Sequence, residues 1–384
     1  MLIFEGIGEI NRLMQIWNSP AWPRFTHDPL ATEDLLARVS ARLGAIGGLQ
    51  AALSAEERQE AFLRAVTGEA MASFAIEGAS LPADQIEASV VASLAYRGAE
   101  RPLLRRTDAI AELMLEARAG AAPLDGALLL RWHDLLFHGI EVEDRGRWRT
   151  FPMEIVRGAT GRREDVLYVA PPPIRVAQEM TRFLDWLAQD RHPAPIRAAL
   201  AHLWFESIHP FSDGNGRIGR AIIEHVFARS GAGAGEGALP FSLSRQIEAD
   251  KRGYYAALQA GRRIVGDRLD ATPFVCWLLE RILAGVSLAE AEARFLVRRN
   301  AFFSRHADLP VRADRVLRRL FAEGEERLAQ GLSAGPYGRI AGVSAATATR
   351  DLADLERRGV LRRSEAGGRS TRYFLQDEAN PAPG

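Results

Sequence analysis

His209-Pro-Phe-Ser-Asp-Gly-Asn-Gly-Arg-Ile-Gly-Arg220 is the stretch on which the reading of this chain turns. A helical run rich in Ala and Leu, about Ile196 to Ile208, leads into it. A second, Arg217 to Arg229, leaves it, with Gly231 where a C′ glycine belongs. Pro210, Gly214 and Gly216 interrupt any single continuous helix. Gly214, Asn215 and Gly216 are small or flexible, so their N–H groups approach an anion closely. They also open a helix, whose positive dipole end favours phosphate. His209 stands at the rim as a candidate general base. Asp213 is a hard oxygen donor suited to a magnesium ion held mainly by substrate phosphates. Arg217 and Arg220, separated by Ile218 and Gly219, supply fixed charge with fork geometry. The bland alternative, a glycine-rich loop with solvated charges, leaves the coincidence of these roles unexplained. The expectation is a phosphoryl- or nucleotidyl-transfer site.

The rest of the composition narrows the class. With 384 residues and 47% hydrophobic content the chain is long enough for two or three domains and a sizeable core. Zero net charge marks neither nucleic acid nor membrane as a global partner. Cys276 is the single cysteine, which excludes a disulfide framework and suits a reducing cytoplasm. The start Met-Leu-Ile-Phe-Glu lacks a basic region followed by a long apolar run, so no signal peptide is expected, nor is a membrane span. Lys251 is the only lysine, so no Gly-Lys-Ser/Thr exists and a P-loop is excluded.

The twelve residues from His209 match HPFxDGNGRxGR, the signature of the Fic family (filamentation induced by cAMP), at every fixed position. The chain therefore resembles a Fic protein. The resemblance implies a mostly α fold: a helical bundle with a β-hairpin flap over the active site. It implies ATP as substrate, Mg2+ on Asp213, and AMP transfer to a Ser, Thr or Tyr hydroxyl of a target protein, the chain itself included. His209 would take the hydroxyl proton. Gly214, Asn215 and Gly216 would cradle phosphate oxygens, Arg217 the β-phosphate and Arg220 the γ-phosphate.

Taken in order, residues 1–30 hold Trp17, Trp22, Phe25 and three prolines, read as an aromatic staple onto the body. The segment is also similar to one found ahead of bacterial Fic domains. Helices are expected at Thr32–Ala52 and from Ser54-Ala-Glu-Glu57, a capping-box spacing, towards Phe74. The latter ends in Ser73-Phe-Ala-Ile-Glu77-Gly78, with Ser73 and Glu77 on one face. Alone, Glu77 reads as a solvated helix-end residue. The resemblance makes Ser73, Glu77 and Gly78 the family's inhibitory pattern, with Glu77 paired to Arg220.

Helices follow at about 83–97, 107–119 and 126–138. His133-Asp134 lacks the companion pairs of a metal phosphohydrolase and is read as surface or packing. Met153–Val156 and Val166–Val169 form a short hairpin, ended by Pro171-Pro-Pro173. By resemblance it is the flap, with Ile155, Val156, Arg157 and Gly158 facing the site and a target strand pairing alongside. Tyr254 and Tyr255 would lie by the nucleoside, although Arg262 departs from the Asn that some relatives carry.

A long helix is expected from Thr272 to about Arg305. Val311 to Leu375 then holds thirteen Arg against eight Asp or Glu, a local charge of +5. Its order, helix, helix, Gly-Val-Ser turn, helix, hairpin around Gly367-Gly368, is that of a winged helix-turn-helix. Ser344, Thr347, Thr349 and Arg350 would face a groove, with Arg369 and Arg372 as wing contacts; the partner is DNA or a docking protein. The expected division is 1–100 regulatory region, 101–308 catalytic domain and 309–384 winged helix with a tail. A homodimer is a further expected partner. Two other readings stay open: removal of AMP by water oriented on Glu77, and a DNA-binding regulator whose site senses nucleotide.

Overall fold

The computed structural model describes residues 15–95, 102–156, 166–231, 238–364 and 371–376. Arg157, Gly158, Gly367, Gly368 and Arg369 lie outside these residues. In chain order the elements are β1 (Phe25–Thr26), α1 (Pro29–Ala51), α2 (Ala55–Ile76), α3 (Ala83–Ala95), α4 (Arg106–Ala119) and α5 (Gly126–Leu136). Next come β2 (Glu154–Val156), β3 (Val166–Val169), α6 (Pro173–Gln189), α7 (Ala194–Ile208), α8 (Asn215–Ser230), α9 (Leu243–Ala249) and α10 (Lys251–Ala260). After β4 (Arg263–Val265), β5 (Arg268–Asp270) and α11 (Thr272–Arg305) follow α12 (Val311–Ala322), α13 (Glu325–Ala329), α14 (Ala334–Ala341) and α15 (Ala345–Arg357). β6 (Leu361–Arg363) and β7 (Tyr373–Leu375) complete the series. The fold is mostly α, as the periodicity implies.

Two compact units divide at Ala291/Glu292. The first does not separate at residue 100: Val39, Phe74 and Val90 join one buried core with Phe205, Ile222 and Leu278. The second begins before residue 309, because Phe302 near the end of α11 is buried with Val316 and Leu320. No helix among the described residues is long and apolar enough to cross a membrane.

In the first unit α7 is the centre. Every residue of it except Arg197 is buried, which explains a sequence apolar on all sides rather than on one stripe. α2 opens on the capping box, with Ser54 accepting from the Glu57 N–H and Glu57 accepting from the Ser54 N–H. Buried Glu69, midway along α2, accepts from the Ser242 hydroxyl and the Ser244 N–H at 2.9 Å each. It thereby caps α9 and ties α2 to the segment that leads into α10.

The aromatic staple is present. Trp22 and Phe25 meet Trp204 of α7 edge-on or tilted, at 6.5 and 6.3 Å between ring centroids. The Trp22 indole donates to Glu179 at 2.9 Å. β1 then pairs in parallel with β5, making a three-stranded sheet, β1-β5-β4. Neither β1 nor the β4–β5 hairpin is legible in the sequence: strands of two or three residues carry too little alternation. In the second unit the unanticipated elements are α13 and a bridge between Leu332 and Tyr373.

Candidate active site

The loop Pro210–Gly214 joins α7 to α8 and is fastened from several sides. His209 caps α7 with φ of 51°, the one non-glycine at positive φ among the described residues. Such a conformation costs on the order of 1–3 kcal/mol and concentrates at functional sites. Arg149 holds it there. Its buried guanidinium donates to the His209 carbonyl at 2.8 Å, to Phe151 at 2.8 Å and to Pro171 at 2.6 Å, satisfying carbonyls at the helix end. The Asn215 side chain accepts from Phe211 N–H and donates to the Phe211 carbonyl, both at 2.9 Å. That side chain staples the loop, so any part in an anion cradle falls to its backbone.

Gly214 adopts φ of 82°, and a Cβ there would press on Leu136 and Phe137. His133 has a packing role: its ring stacks on Phe211 at 4.1 Å, Nδ1 accepts from Gly146, and Nε2 therefore donates to the Asp213 carbonyl. Asp134 pairs with Arg145 at the surface.

A cavity of about 700 Å³ opens beside this loop. His209, Gly216, Glu77, Ile155, Tyr254 and Tyr255 line it, as do Glu206, Arg252, Gln259 and Arg262. Tyr254 is buried and donates to, or accepts from, His202 Nε2 at 2.8 Å, whereas Tyr255 is exposed. Ile218 and Gly219 are buried in α8, and Gly219 is packed against His202 and Glu206. Neither lines the cavity. Ile155 pairs with Tyr168 in the β2–β3 hairpin, with an irregularity between Ile155 and Val156.

Burial pushes His209 down to about 3, aided by the positive charges of Arg262 and Arg149. The ring is thus neutral near pH 7 and able to accept a proton. Arg262 sits beneath the loop, donating to the Ser207 hydroxyl at 3.0 Å and the Glu206 carbonyl at 2.9 Å, with the Tyr168 ring 4.3 Å away. It is a strut under the base, which accounts for an arginine at this position.

Arg220 is almost fully enclosed. Nε donates to Ser73 Oγ at 2.9 Å, and Nη2 to the Ser73 carbonyl at 2.7 Å and Glu77 Oε1 at 2.9 Å. Nη1 is buried without a partner. Gly78 at φ of 77° ends the helix immediately afterwards. The Glu77 carboxylate lies over the first turn of α8, since a Cβ on Gly216 would collide with Glu77 Oε1 and sit 3.0 Å from Arg220 Nη1. The anion-favouring end of α8 therefore already faces an anion of the protein itself.

Arg217 is buried between Phe74 and Phe137, 5.1 and 5.2 Å from their ring centroids, and pairs with Asp213 at 2.9 Å. The Asp213 side chain is 62% exposed. No cluster of three or more His, Cys, Asp or Glu able to hold a metal occurs among the described residues.

Residues 123–227 match the model of the Fic/DOC family, and residues 15–95 match a domain of unknown function, DUF4172. The chain thus carries a Fic/DOC-type domain over residues 123–227. It is 32% identical over 117 residues to protein adenylyltransferase fic-1 of Caenorhabditis briggsae, a span of 30% of this chain and 20% of that protein. It is 40% identical over 83 residues to protein adenylyltransferase Fic of Drosophila willistoni, covering 20% and 16%. A uridine 5′-monophosphate transferase of Xanthomonas campestris pv. campestris is 36% identical over 69 residues, covering 16% and 13%. The chain thus spans about a fifth of the length of the first curated relatives it matches.

The fold is shared with a Fic family protein from Desulfovibrio desulfuricans G20 (TM-score 0.52, 24% identity, 94% of this chain and 99% of that one). It is shared also with a Fic-domain signaling protein from Bacteroides thetaiotaomicron (TM-score 0.50, 20% identity, 67% and 98%).

Proposed function

We propose that this protein transfers AMP from ATP to a hydroxyl of a target protein, and that Glu77 holds it in an inhibited form. The observation that carries the reading is a neutral His209 on the wall of a cavity that Gly216, in the first turn of α8, also lines. Sequence relatives that are protein adenylyltransferases support the same chemistry. In this reading the hydroxyl proton passes to His209 as the oxygen bonds to the α-phosphorus. The bond from the α-phosphorus to the bridging oxygen breaks, and pyrophosphate leaves.

Arg220, with an unsatisfied Nη1, offers a donor to the γ-phosphate once Glu77 withdraws. The amides of Gly214, Asn215 and Gly216 serve the phosphate oxygens, and Arg217 bears the β-phosphate from a stacked, pre-set position. Ile155 and Val156 of the hairpin, with Arg157 and Gly158 next in the sequence, are proposed to meet an extended target segment. Tyr254 and Tyr255 are proposed to border the nucleoside.

Asp213 fits a magnesium ion: it is one exposed carboxylate, the number such a site needs when phosphates supply the remaining ligands. When bound, the ion would neutralise charge on the leaving pyrophosphate. Asp213→Ala is expected to cut transfer at least roughly tenfold and to leave the residue of activity insensitive to added magnesium. A magnesium titration of both proteins checks this, and an unchanged magnesium response in the variant contradicts it.

The second unit carries its own reading, as a winged helix that binds DNA. Arg312, Arg318, Arg319, Arg327, Arg357 and Arg358 are paired with acidic side chains. Arg339, Arg350 and Arg363, on α14, α15 and β6, have no acidic partner among the described residues. Ser344 caps α15, and Ser344, Thr349 and Arg350 are exposed beside two alanines that permit close approach. Three phosphate contacts predict that affinity in gel shifts with the full chain falls roughly fortyfold between 50 and 200 mM salt. Absence of a shift at micromolar protein favours a protein-docking role. A homodimer and a cytoplasmic location are further parts of this proposal, the latter resting on Cys276 as a free cysteine, while a DNA-bound regulator that senses nucleotide is the alternative if no AMP is transferred.

A further inference from the structure

Glu206 is a buried carboxyl that the transfer chemistry above leaves without a task. It lies on α7 one turn before His209, with its side chain 7% exposed. Oε2 stands 3.7 Å from His209 Nδ1, too far for a hydrogen bond but close for a charge. Neither His209 Nδ1 nor Glu206 Oε1 has a hydrogen-bond partner within normal geometry. The Glu206 backbone carbonyl also favours a proton on the His209 ring. Nδ1 is thus turned towards Glu206, and Nε2 is the nitrogen left for substrate.

The charges around this pair are set against the base. Arg149 caps α7, and Arg262 lies beneath the loop; both oppose an imidazolium. Asp213 favours it from across the loop. Arg220 of α8, Glu77 at the end of α2, and Tyr254 of α10 face Glu206 itself, and neutral His202 is packed beside it across Gly219. A ring that must take a proton among two buried arginines needs a compensating anion close to Nδ1, and Glu206 is the carboxyl that adjoins it.

We propose, on the reading of His209 as the transfer base, that Glu206 is its positioning residue: a carboxylate that orients the ring and balances the imidazolium formed as the hydroxyl is deprotonated. The proposal adds a second arm to the inhibition. Burial pushes Glu206 up to about 7, with Arg262 opposing and the nearby Glu77 carboxylate adding to the shift. While Glu77 occupies the site, its carboxylate favours the protonated form of Glu206, which cannot compensate His209. When Glu77 withdraws, a like charge leaves, Glu206 releases its proton to solvent, and the base is strengthened.

The test uses the full chain in a Glu77→Gly background and compares Glu206→Gln and Glu206→Asp with that parent. Glu206→Gln keeps the shape and removes the charge. It is expected to lower kcat roughly tenfold to a hundredfold with ATP affinity and melting temperature unchanged, and Glu206→Asp to restore part of the loss. An independent readout is the pH titration of the His209 Cε1–H resonance, assigned with His209→Ala. In the parent it is expected to show a step as Glu206 titrates, with no such step in Glu206→Gln. Coincident titrations, or equal kcat, overturn the assignment, as does a loss of ATP affinity in step with kcat. A parent that transfers no AMP strikes at the proposed function instead, and the resonance comparison still decides the part played by Glu206.

Discussion

Glu77→Gly is expected to raise AMP transfer by roughly a hundredfold over the unaltered chain, including transfer onto the protein itself. The carboxylate removed makes a 2.9 Å charge-assisted bond to an arginine only 2% exposed. Such a pair in a partly desolvated site is worth a few kcal/mol, enough to set populations on this scale. It also lies over Gly216, so its loss opens both the arginine and the helix end to phosphate.

Arg220→Ala breaks the same pair and is expected not to activate, because it removes the phosphate donor together with the inhibitor. It also leaves Ser73 Oγ and the Ser73 carbonyl without their partner. Quantitative labelling of both variants at saturating ATP is the check. Equal behaviour of the two would mean that loosening α2, rather than freeing a phosphate site, changes activity. If Glu77→Gly instead loses an AMP-removing activity on modified target, hydrolysis with water held by Glu77 becomes the principal function.

His209→Ala in the Glu77→Gly background is expected to lower transfer at least roughly a thousandfold while changing ATP affinity by no more than about threefold. Affinity is assigned to the amides of α8, the arginines and the metal, whereas the ring touches the incoming hydroxyl. Because burial and two arginines hold His209 far below its ordinary value, its own protonation should not limit the rate near neutrality. A fall in rate on acidification, setting in below the value of about 7 that Glu206 has beside Glu77, would instead follow Glu206, whose protonated form cannot balance the imidazolium. Calorimetry and labelling on the same protein separate binding from chemistry. Near-parental transfer would remove His209 from the mechanism.

Much of this site is legible in the chain, and the reason is local. The residues from His209 to Arg220 are contiguous, so their juxtaposition needs only one helix end and one turn. Ser73 and Glu77 share a face by helical spacing, although the pairing of Glu77 with Arg220 across 143 positions comes only from resemblance to a family. Glu206 is not legible although it stands three residues before His209, because a carboxylate in an apolar helix has no signature until its burial is known.

Asn215 shows the opposite error. Its type suggests anion contact, yet both ends of its amide are spent on Phe211. Arg252 and Gln259 line the cavity through tertiary packing of α10, which spacing alone does not reveal. The boundary expected near residue 309 follows a change in charge, whereas α11 carries Phe302 into the second cluster.

The most direct test of the central claim is a paired labelling of cell lysate by the Glu77→Gly full chain, with ATP labelled at the α-phosphate in one arm and at the γ-phosphate in the other. Protein labelled from the α-phosphate alone, and lost with His209→Ala, is the result predicted for AMP transfer. Label from the γ-phosphate, or none from either arm, would contradict it.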